Sequence, residues 1–156
     1  MSAASQSEIA GHAARQREQA GHAARQREID VLARTLWGEA RGEGEAGMAA
    51  VAAVIVNRAR RPGWWGRDIV EICKRPWQFS CWNAADPNRE RLLRVSNEDA
   101  AFTAALRLAR LALAGALPDP TQGATHYHAA HMLPGWARGR EPSARIGGHL
   151  FYSDIA

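Results

Sequence analysis

Apolar residues recur at spacings of three and four early in the chain, where Ile29, Leu32 and Leu36 form one stripe. This period predicts an amphipathic helix from Ile29 to about Ala40. We expect the helix to end near Gly42, because glycine commonly follows the last helical turn.

Two further helices are predicted in the same half of the chain. The segment 47–58 is apolar nearly all round, which predicts a buried central helix over about 45–60. A short helix is expected over 69–73, since Asp68 and Glu71 have the spacing of a capping box.

The stretch 76–94 has no clear period, so we expect it to be irregular. Ser96 and Asp99 are typical capping residues, and they predict a long helix to about Ala114 with Gly115 as its stop. The expected buried stripe of this helix consists of Phe102, Leu106, Ala109 and Leu113.

Alternating apolar and polar residues over 124–128 and 150–153 predict two short strands, which we expect to pair antiparallel. A chain of 156 residues suits one domain with a core of ordinary size. The expected fold class is therefore mainly α, or α+β: a helical domain with a small antiparallel sheet.

The start of the chain carries a duplication, since residues 10–18 recur as residues 20–28. Alanine, arginine, glutamine and glutamate favour helix. A ten-residue repeat nevertheless drifts around a helix, so no apolar stripe forms. We expect a polar, solvated extension over 1–28 whose composition favours helix, followed by the folded domain over 29–156.

Glu39 continues the apolar stripe of the first predicted helix and lies in its last turn. The C-terminal end of a helix disfavours a carboxylate, and burial disfavours the charged form as well. Both effects raise the pKa of Glu39. A carboxylic acid that stays protonated near neutrality is what general-acid cleavage of a glycosidic bond needs. Position alone leaves open the alternative of an exposed glutamate at a frayed helix end.

Several short blocks extend this interpretation beyond Glu39. In chain order they are LWGEARGE (36–43), GMAAVAAVIVNR (47–58), PWQFSCW (76–82), DPTQGA (119–124), PGW (134–136) and IGGHLFY (146–152). Taken in this order, over about 29–152, they resemble the SleB-type cell wall hydrolases, the family of the spore cortex-lytic enzyme.

The resemblance implies a lysozyme-like catalytic domain that cleaves peptidoglycan glycan strands between N-acetylmuramic acid and N-acetylglucosamine. It implies a muramidase or lytic transglycosylase with one essential glutamate, and the matching position in this sequence is Glu39. It implies no metal and no cofactor. Glu43 and His149 are possible supporting residues: Glu43 could pair with Arg41 or Arg58, and His149 could be structural or line the cleft.

Saccharide clefts are lined by aromatic side chains, because sugar rings stack on flat indoles. Six tryptophans are present, and Trp37 inside the first helix is expected to fill the core. Side chains close to the predicted loops and strands are expected to bind substrate: Trp77, Gln78, Ser80, Trp82, Tyr127 and Trp136.

Two alternative functions remain open from the residues themselves. His126, His128 and His131 invite a zinc site, since the first two share one face of a strand. That site would suit a zinc-dependent N-acetylmuramoyl-L-alanine amidase. The other alternative is a wall-binding protein without catalytic activity.

The formal net charge of +4 and the pI of about 9.8 fit an anionic partner such as peptidoglycan. No recognition motif indicates nucleic acid, and no segment has the length and hydropathy of a membrane helix. Cys73 and Cys81 are compatible with a disulfide or with two buried thiols.

The first residues lack the basic and apolar regions of a signal peptide. For a monomer that acts in the periplasm or cell wall, this suggests delivery as an endolysin through a holin, or in a phage-like particle.

Overall fold

The computed structural model describes residues 2–155, and within them the chain forms five α-helices and a three-stranded sheet. The helices are α1 (Ala3–Ala40), α2 (Gly44–Arg60), α3 (Ile69–Lys74), α4 (Arg89–Arg94) and α5 (Ala100–Leu113). The strands are β1 (His126–Ala129), β2 (Ala144–Ile146) and β3 (His149–Tyr152). The predicted fold class, mainly helical with a small antiparallel sheet, is confirmed.

The core lies where α2 packs against the second half of α1 and against α5. Leu32 and Leu36 of α1 are fully buried, as the stripe predicted, and Trp37 beside them is 1% exposed. Val51 and Ile55 occupy the centre of α2. Burying each large apolar side chain contributes about 1.5–3 kcal/mol, so this helix contact fixes the position of the C-terminal end of α1.

The first helix begins at Ala3 and not at Ile29, so the extension and the predicted helix are one continuous α1. Ser2 caps it, since its side-chain oxygen accepts the N–H of Ser5 at 3.3 Å. None of residues 2–28 is buried. Strong helix formers, and the packed half beyond them, outweigh the two glycines of the repeat. The division of the chain at residue 28 stays a prediction.

The link from α1 to α2 is a single 3₁₀ turn over Arg41–Glu43. Helix α1 ends at Ala40, as expected, and the glycine with a left-handed backbone is Gly44, with φ of 73°. Glycine suits such a backbone because it has no Cβ. The sharp turn brings the start of α2 close to the end of α1.

The last helix starts three residues later than a cap at Ser96 would place it. Asp99, not Ser96, is the cap, and its carboxylate accepts the N–H of Phe102 at 2.9 Å. The buried face is also rotated from the expected one, since Leu106 and Leu113 are half-buried. The buried residues of α5 are Phe102, Ala105, Leu108, Ala109 and Ala112.

The sheet has the order β1–β3–β2, and both pairings are antiparallel. The β1–β3 pair was predicted, whereas β2 and the short helix α4 were not. The 76–94 stretch is therefore not wholly irregular, because α4 buries Leu92 there.

Cys73 and Cys81 are free, buried thiols. Among residues 2–155, none of the helices combines the length and the hydropathy that a membrane span requires.

Candidate active site

A cavity of about 610 Å³ opens beside Glu39 at the end of α1. It lies between α2, the loop after α3 and β1. It contains most of the residues predicted to bind substrate, together with others that the sequence did not single out. Its lining consists of Glu39, Arg58, Trp64, Trp77, Gln78, Phe79, Ser80, His126, Tyr127, Trp136 and Ile155.

Glu39 is half-buried and points into this cavity. Burial raises the pKa of its carboxyl group, as expected from its position. Hydrogen bonds from the N–H and the thiol of Cys81 act in the opposite direction. The charge of Asp86 raises the pKa further, and His149 lowers it. The net effect is that Glu39 keeps its proton to a higher pH than an ordinary glutamate does.

Gly38 determines how closely the next part of the site approaches Glu39. A Cβ atom at this position would lie 2.7 Å from the Cβ and 2.9 Å from the Sγ of Cys81. Real Cβ atoms do not approach that closely, so a glycine is needed here. The 3₁₀ turn Ser80–Trp82 can then pack on α1, where the N–H of Cys81 donates to Glu39 Oε1 at 3.3 Å.

Arg58 is a cavity residue that sequence analysis missed as part of the site. It is 6% exposed, and its Nε donates to the carbonyl of Thr125 at 2.7 Å. Its Nη1 donates to Gln78 Oε1 over a longer 3.4 Å. The charged last residue of an otherwise apolar block was the sequence signal that could have indicated it.

The DPTQGA block holds Thr125 in place for this contact. Asp119 accepts hydrogen bonds from the Thr121 N–H and hydroxyl, the Gly123 N–H and the Asn57 amide. Burial opposes ionisation, but these hydrogen bonds keep the pKa of Asp119 below its usual value. The loop is thus fixed to the end of α2, directly before β1.

Tyr127 of β1 reaches the cavity and is stacked on Phe151, with ring centroids 5.4 Å apart. Burial raises the pKa of its phenol well above 10.0, so the hydroxyl remains a donor. His149 stands behind it, with ring centroids 5.3 Å apart, and does not line the cavity.

Glu43 lies outside the cavity. The sequence suggested that it pairs with Arg41 or Arg58, but it forms an ion pair with neither. Its Oε2 accepts the N–H of Gly148 at 3.0 Å. A Cβ at Gly147 would collide with the same oxygen. Glu43 therefore holds the β2–β3 turn, which precedes His149.

The three histidines of the zinc alternative do not form a ligand set. His128 uses both ring nitrogens, one with the Ala129 carbonyl at 2.7 Å and one with the Tyr152 hydroxyl at 2.9 Å. His131 is exposed beyond the strand. Within residues 2–155 no group of three or more His, Cys, Asp or Glu side chains could hold a metal ion.

His126 instead belongs to an aromatic wall of the cavity. Its ring centroid lies 5.2 Å from that of Trp136 and 6.4 Å from that of Trp64. Burial, together with the charge of Arg58, lowers the pKa of His126 to about 4. The imidazole is therefore neutral in the physiological range and can donate or accept one hydrogen bond.

Trp82 lies in a neighbouring cavity of about 600 Å³, not beside Glu39. Its Nε1 donates to Thr35 Oγ1 at 2.9 Å, and Lys74 Nζ lies 4.8 Å from its ring centroid.

Trp77 lines both cavities, is 84% exposed and has a left-handed φ of 68°. Such strain in a non-glycine residue is typical of functional sites.

A helical domain that surrounds one carboxylic acid of raised pKa with aromatic side chains has the features of a glycan-cleaving site. Residues 42–152 match the family model described as cell wall hydrolase, and the chain therefore belongs to the cell wall hydrolase family. The match begins at residue 42, so Glu39 lies outside the matched range.

Two curated relatives are similar over four-fifths of the chain. The spore cortex-lytic enzyme of Halalkalibacterium halodurans is 34% identical over 125 residues, which are 80% of this chain and 34% of that protein. The enzyme of the same name from Bacillus subtilis is 32% identical over 127 residues, 80% of this chain and 37% of that protein. The chain spans about a third of the length of these relatives.

Two solved structures have the same fold. The catalytic domain of the germination-specific lytic transglycosylase SleB from Bacillus anthracis has a TM-score of 0.63 and 27% identity, covering 80% of this chain and 93% of that chain. The catalytic domain of the Bacillus cereus SleB protein has a TM-score of 0.60 and 26% identity, covering 81% and 90%. The resemblance inferred from the sequence blocks is confirmed.

Proposed function

We propose that this chain cleaves peptidoglycan glycan strands between N-acetylmuramic acid and N-acetylglucosamine, with Glu39 as the single acid–base residue. The observation that carries the proposal is the half-buried Glu39 in an aromatic-lined cavity, with its pKa raised by burial. The similarity to a structure described as a lytic transglycosylase supports it.

Glu39 acts first as an acid. It donates its proton to the glycosidic oxygen as the bond from that oxygen to C1 of muramic acid breaks. The N–H of Cys81 then stabilises the carboxylate, since it already donates to Oε1 in the resting site. Burial favours the protonated form of Glu39 before the reaction and makes its carboxylate a stronger base afterwards.

The second half of the reaction is an internal transfer. The 6-hydroxyl of the same muramic acid attacks C1, and its proton returns to the Glu39 carboxylate, which leaves a 1,6-anhydro end. Glycosidases that use two carboxylates place the second one across the sugar to activate water or form a covalent bond. Among residues 2–155 Glu39 is the one acidic residue that lines this cavity, which favours transglycosylation over hydrolysis.

The surrounding side chains suit the binding of a saccharide. Trp77 and Trp136 offer exposed indole faces for sugar rings. Gln78 and Ser80 can bond to the N-acetyl groups, and the Tyr127 hydroxyl can donate beside the scissile bond. The neighbouring cavity with Trp82 would hold the strand further along its length.

This proposal puts the enzyme's action in the bacterial cell wall or spore cortex. The spore cortex-lytic relatives support that place of action. Nothing among the relatives supports delivery by a holin or a phage-like particle, and this part of the sequence interpretation stays a prediction.

Mass spectrometry of muropeptides after digestion of purified peptidoglycan tests the reaction. Anhydromuramic ends are the expected product. Reducing muramic ends would show hydrolysis in place of transglycosylation. Freed stem peptides on an intact glycan would indicate an amidase and would overturn the proposal.

A further inference from the structure

Arg58 carries a charge into the cavity without a counter-charge nearby. It is 6% exposed, and the ion pairs of residues 2–155 do not include it, not even with Glu39 in the same cavity. Burying an unpaired charge costs free energy. A structural role in bracing β1 would need hydrogen-bond donors but no charge, so the charge itself calls for an explanation.

The guanidinium is fixed at one end and open at the other. Its Nε donates to the Thr125 carbonyl at 2.7 Å, whereas Nη1 has only the 3.4 Å contact with Gln78, and Nη2 bonds to no acceptor within residues 2–155. The rings of Trp65 and Phe79 lie 5.6 and 5.7 Å from its Cζ and restrict its movement. The Nη end of a held guanidinium has the geometry that binds a carboxylate.

We propose that Arg58 binds a carboxylate carried by the muramic acid residue at the scissile bond, an inference that rests on the proposed cleavage of glycan strands. Within the sugar, C1 of muramic acid is the reacting atom, and C3 of the same ring bears the lactyl group with its carboxyl. A ring whose C1 faces Glu39 therefore extends its lactyl group into another part of the same cavity, which Arg58 lines.

This placement makes Arg58 a specificity-determining residue. N-acetylglucosamine has a plain hydroxyl where muramic acid has the lactyl ether, so it offers no anion to Arg58. The strand would then bind in the register that puts muramic acid, and not glucosamine, at Glu39. Two sources share the required chemistry: the lactyl carboxylate of a muramic acid without a stem, and a carboxylate of the stem peptide.

Steady-state kinetics with the full 156-residue chain distinguish these sources. Four soluble glycan fragments of equal length are compared: without stems, without stems and with lactyl methyl esters, with intact stems, and with amidated stems. Neutralising the recognised carboxylate should raise KM roughly ten- to hundredfold with little change in kcat. A rise in KM on esterification within the first pair identifies the lactyl carboxylate. A rise in KM on amidation within the second pair identifies a carboxylate of the stem peptide.

Variants of Arg58 link the effect to this side chain. Arg58→Gln should remove the preference for the acid over the ester, and Arg58→Lys should reduce it, because lysine keeps the charge but not the fork. The exposed Arg60 on the same helix supplies the control, and Arg60→Gln should keep the preference. Circular dichroism establishes which variants fold. If Arg58→Gln does not fold, the comparison of the four substrates with the wild-type protein still tests the inference, because equal KM values would overturn it.

Equal KM values within both pairs would overturn the inference while leaving glycan cleavage in place. An undiminished preference in folded Arg58→Gln would overturn it too. Failure to cleave any of the four fragments would instead refute the proposed function, and the inference about Arg58 would fall with it.

Discussion

The N–H of Cys81 donates to Glu39 Oε1 at 3.3 Å, although 42 residues separate the two in the chain. The contact exists because Gly38 leaves room for Cys81 against α1. Burial in turn raises the pKa of the Cys81 thiol, with the charge of Glu39 adding to the effect, so the thiol stays neutral beside the acid. The pair thus couples the end of α1 to the Ser80–Trp82 turn, which follows Gln78 in the loop after α3.

Gly38→Ala is expected to destabilise the protein and to reduce glycan cleavage. Its methyl group would displace Cys81 and the hydrogen bond to Glu39, and overpacking of this kind costs about 1–3 kcal/mol. Gly42→Ala is the matched control, since a Cβ there meets nothing within 4 Å. Thermal unfolding and initial rates of both variants check this, and equal behaviour would refute the packing argument.

The raised pKa of Glu39 predicts how stability depends on pH. The folded state holds this proton more tightly than the unfolded chain, whose value is about 4.5. Stability from this group is complete below that pH and is lost as the pH rises through the folded pKa. Glu39→Gln should therefore melt at a higher temperature than the wild type near neutral pH, and the difference should vanish in acid.

Glu98→Gln is the control for that experiment, because Glu98 is exposed and outside the cavity. It should show no pH-dependent gain. The cleavage rate of the wild type should fall over the same pH range in which Glu39 loses its proton. A gain for Glu98→Gln as large as that for Glu39→Gln would show that general charge removal, not burial, is responsible.

Glu43 is predicted to act through the β2–β3 turn. Gly147 and Gly139 both have left-handed backbones, with φ of 56° and 72°, but a Cβ at Gly147 alone would meet the Glu43 carboxylate. Gly147→Ala should therefore lower the melting temperature more than Gly139→Ala. Adding Glu43→Ala should remove much of that difference, and a double-mutant cycle measures the coupling.

Activity gives a second test of Glu43. Since its carboxylate holds a turn and does not line the cavity, Glu43→Gln should reduce cleavage less than Glu39→Gln does. The reverse order would mean that the acid had been assigned to the wrong carboxylate.

Periodicity predicted the fold where side chains face one continuous core. The stripe of Ile29, Leu32 and Leu36 located the packed half of α1, and its extension by one turn indicated Glu39. The apolar segment of α2 was equally clear, because burial on all sides leaves no polar face. In these helices tertiary packing and local pattern agree.

Other features depend on contacts between distant parts of the chain. The strand β2 is short and carries the exposed Arg145, so nothing in its pattern marks it. Arg58 ends an apolar block and resembles a surface residue until Thr125 and Trp65 close over it. Ser96 and Asp99 are both good caps, and only the packing of α5 selects Asp99.

Deletion of residues 2–27 is expected to leave the melting temperature nearly unchanged. None of these residues is buried, and one hydrogen bond of 3.5 Å joins Arg25 to the Leu113 carbonyl. An exposed segment without core contacts has little effect on stability. Calorimetry of the truncated chain checks this, and cleavage of soluble fragments should persist. Unfolding of the truncated protein would place the domain boundary before Ile29.

The most direct test of the account is the rate of glycan cleavage by Glu39→Gln on purified peptidoglycan, with folding verified by circular dichroism. Glutamine keeps the shape of the side chain but has no proton to transfer. Because general acid–base steps contribute about 10²–10⁴-fold, the folded variant should lose at least about a hundredfold in rate. A folded Glu39→Gln variant with activity close to that of the wild type would contradict the assignment of Glu39.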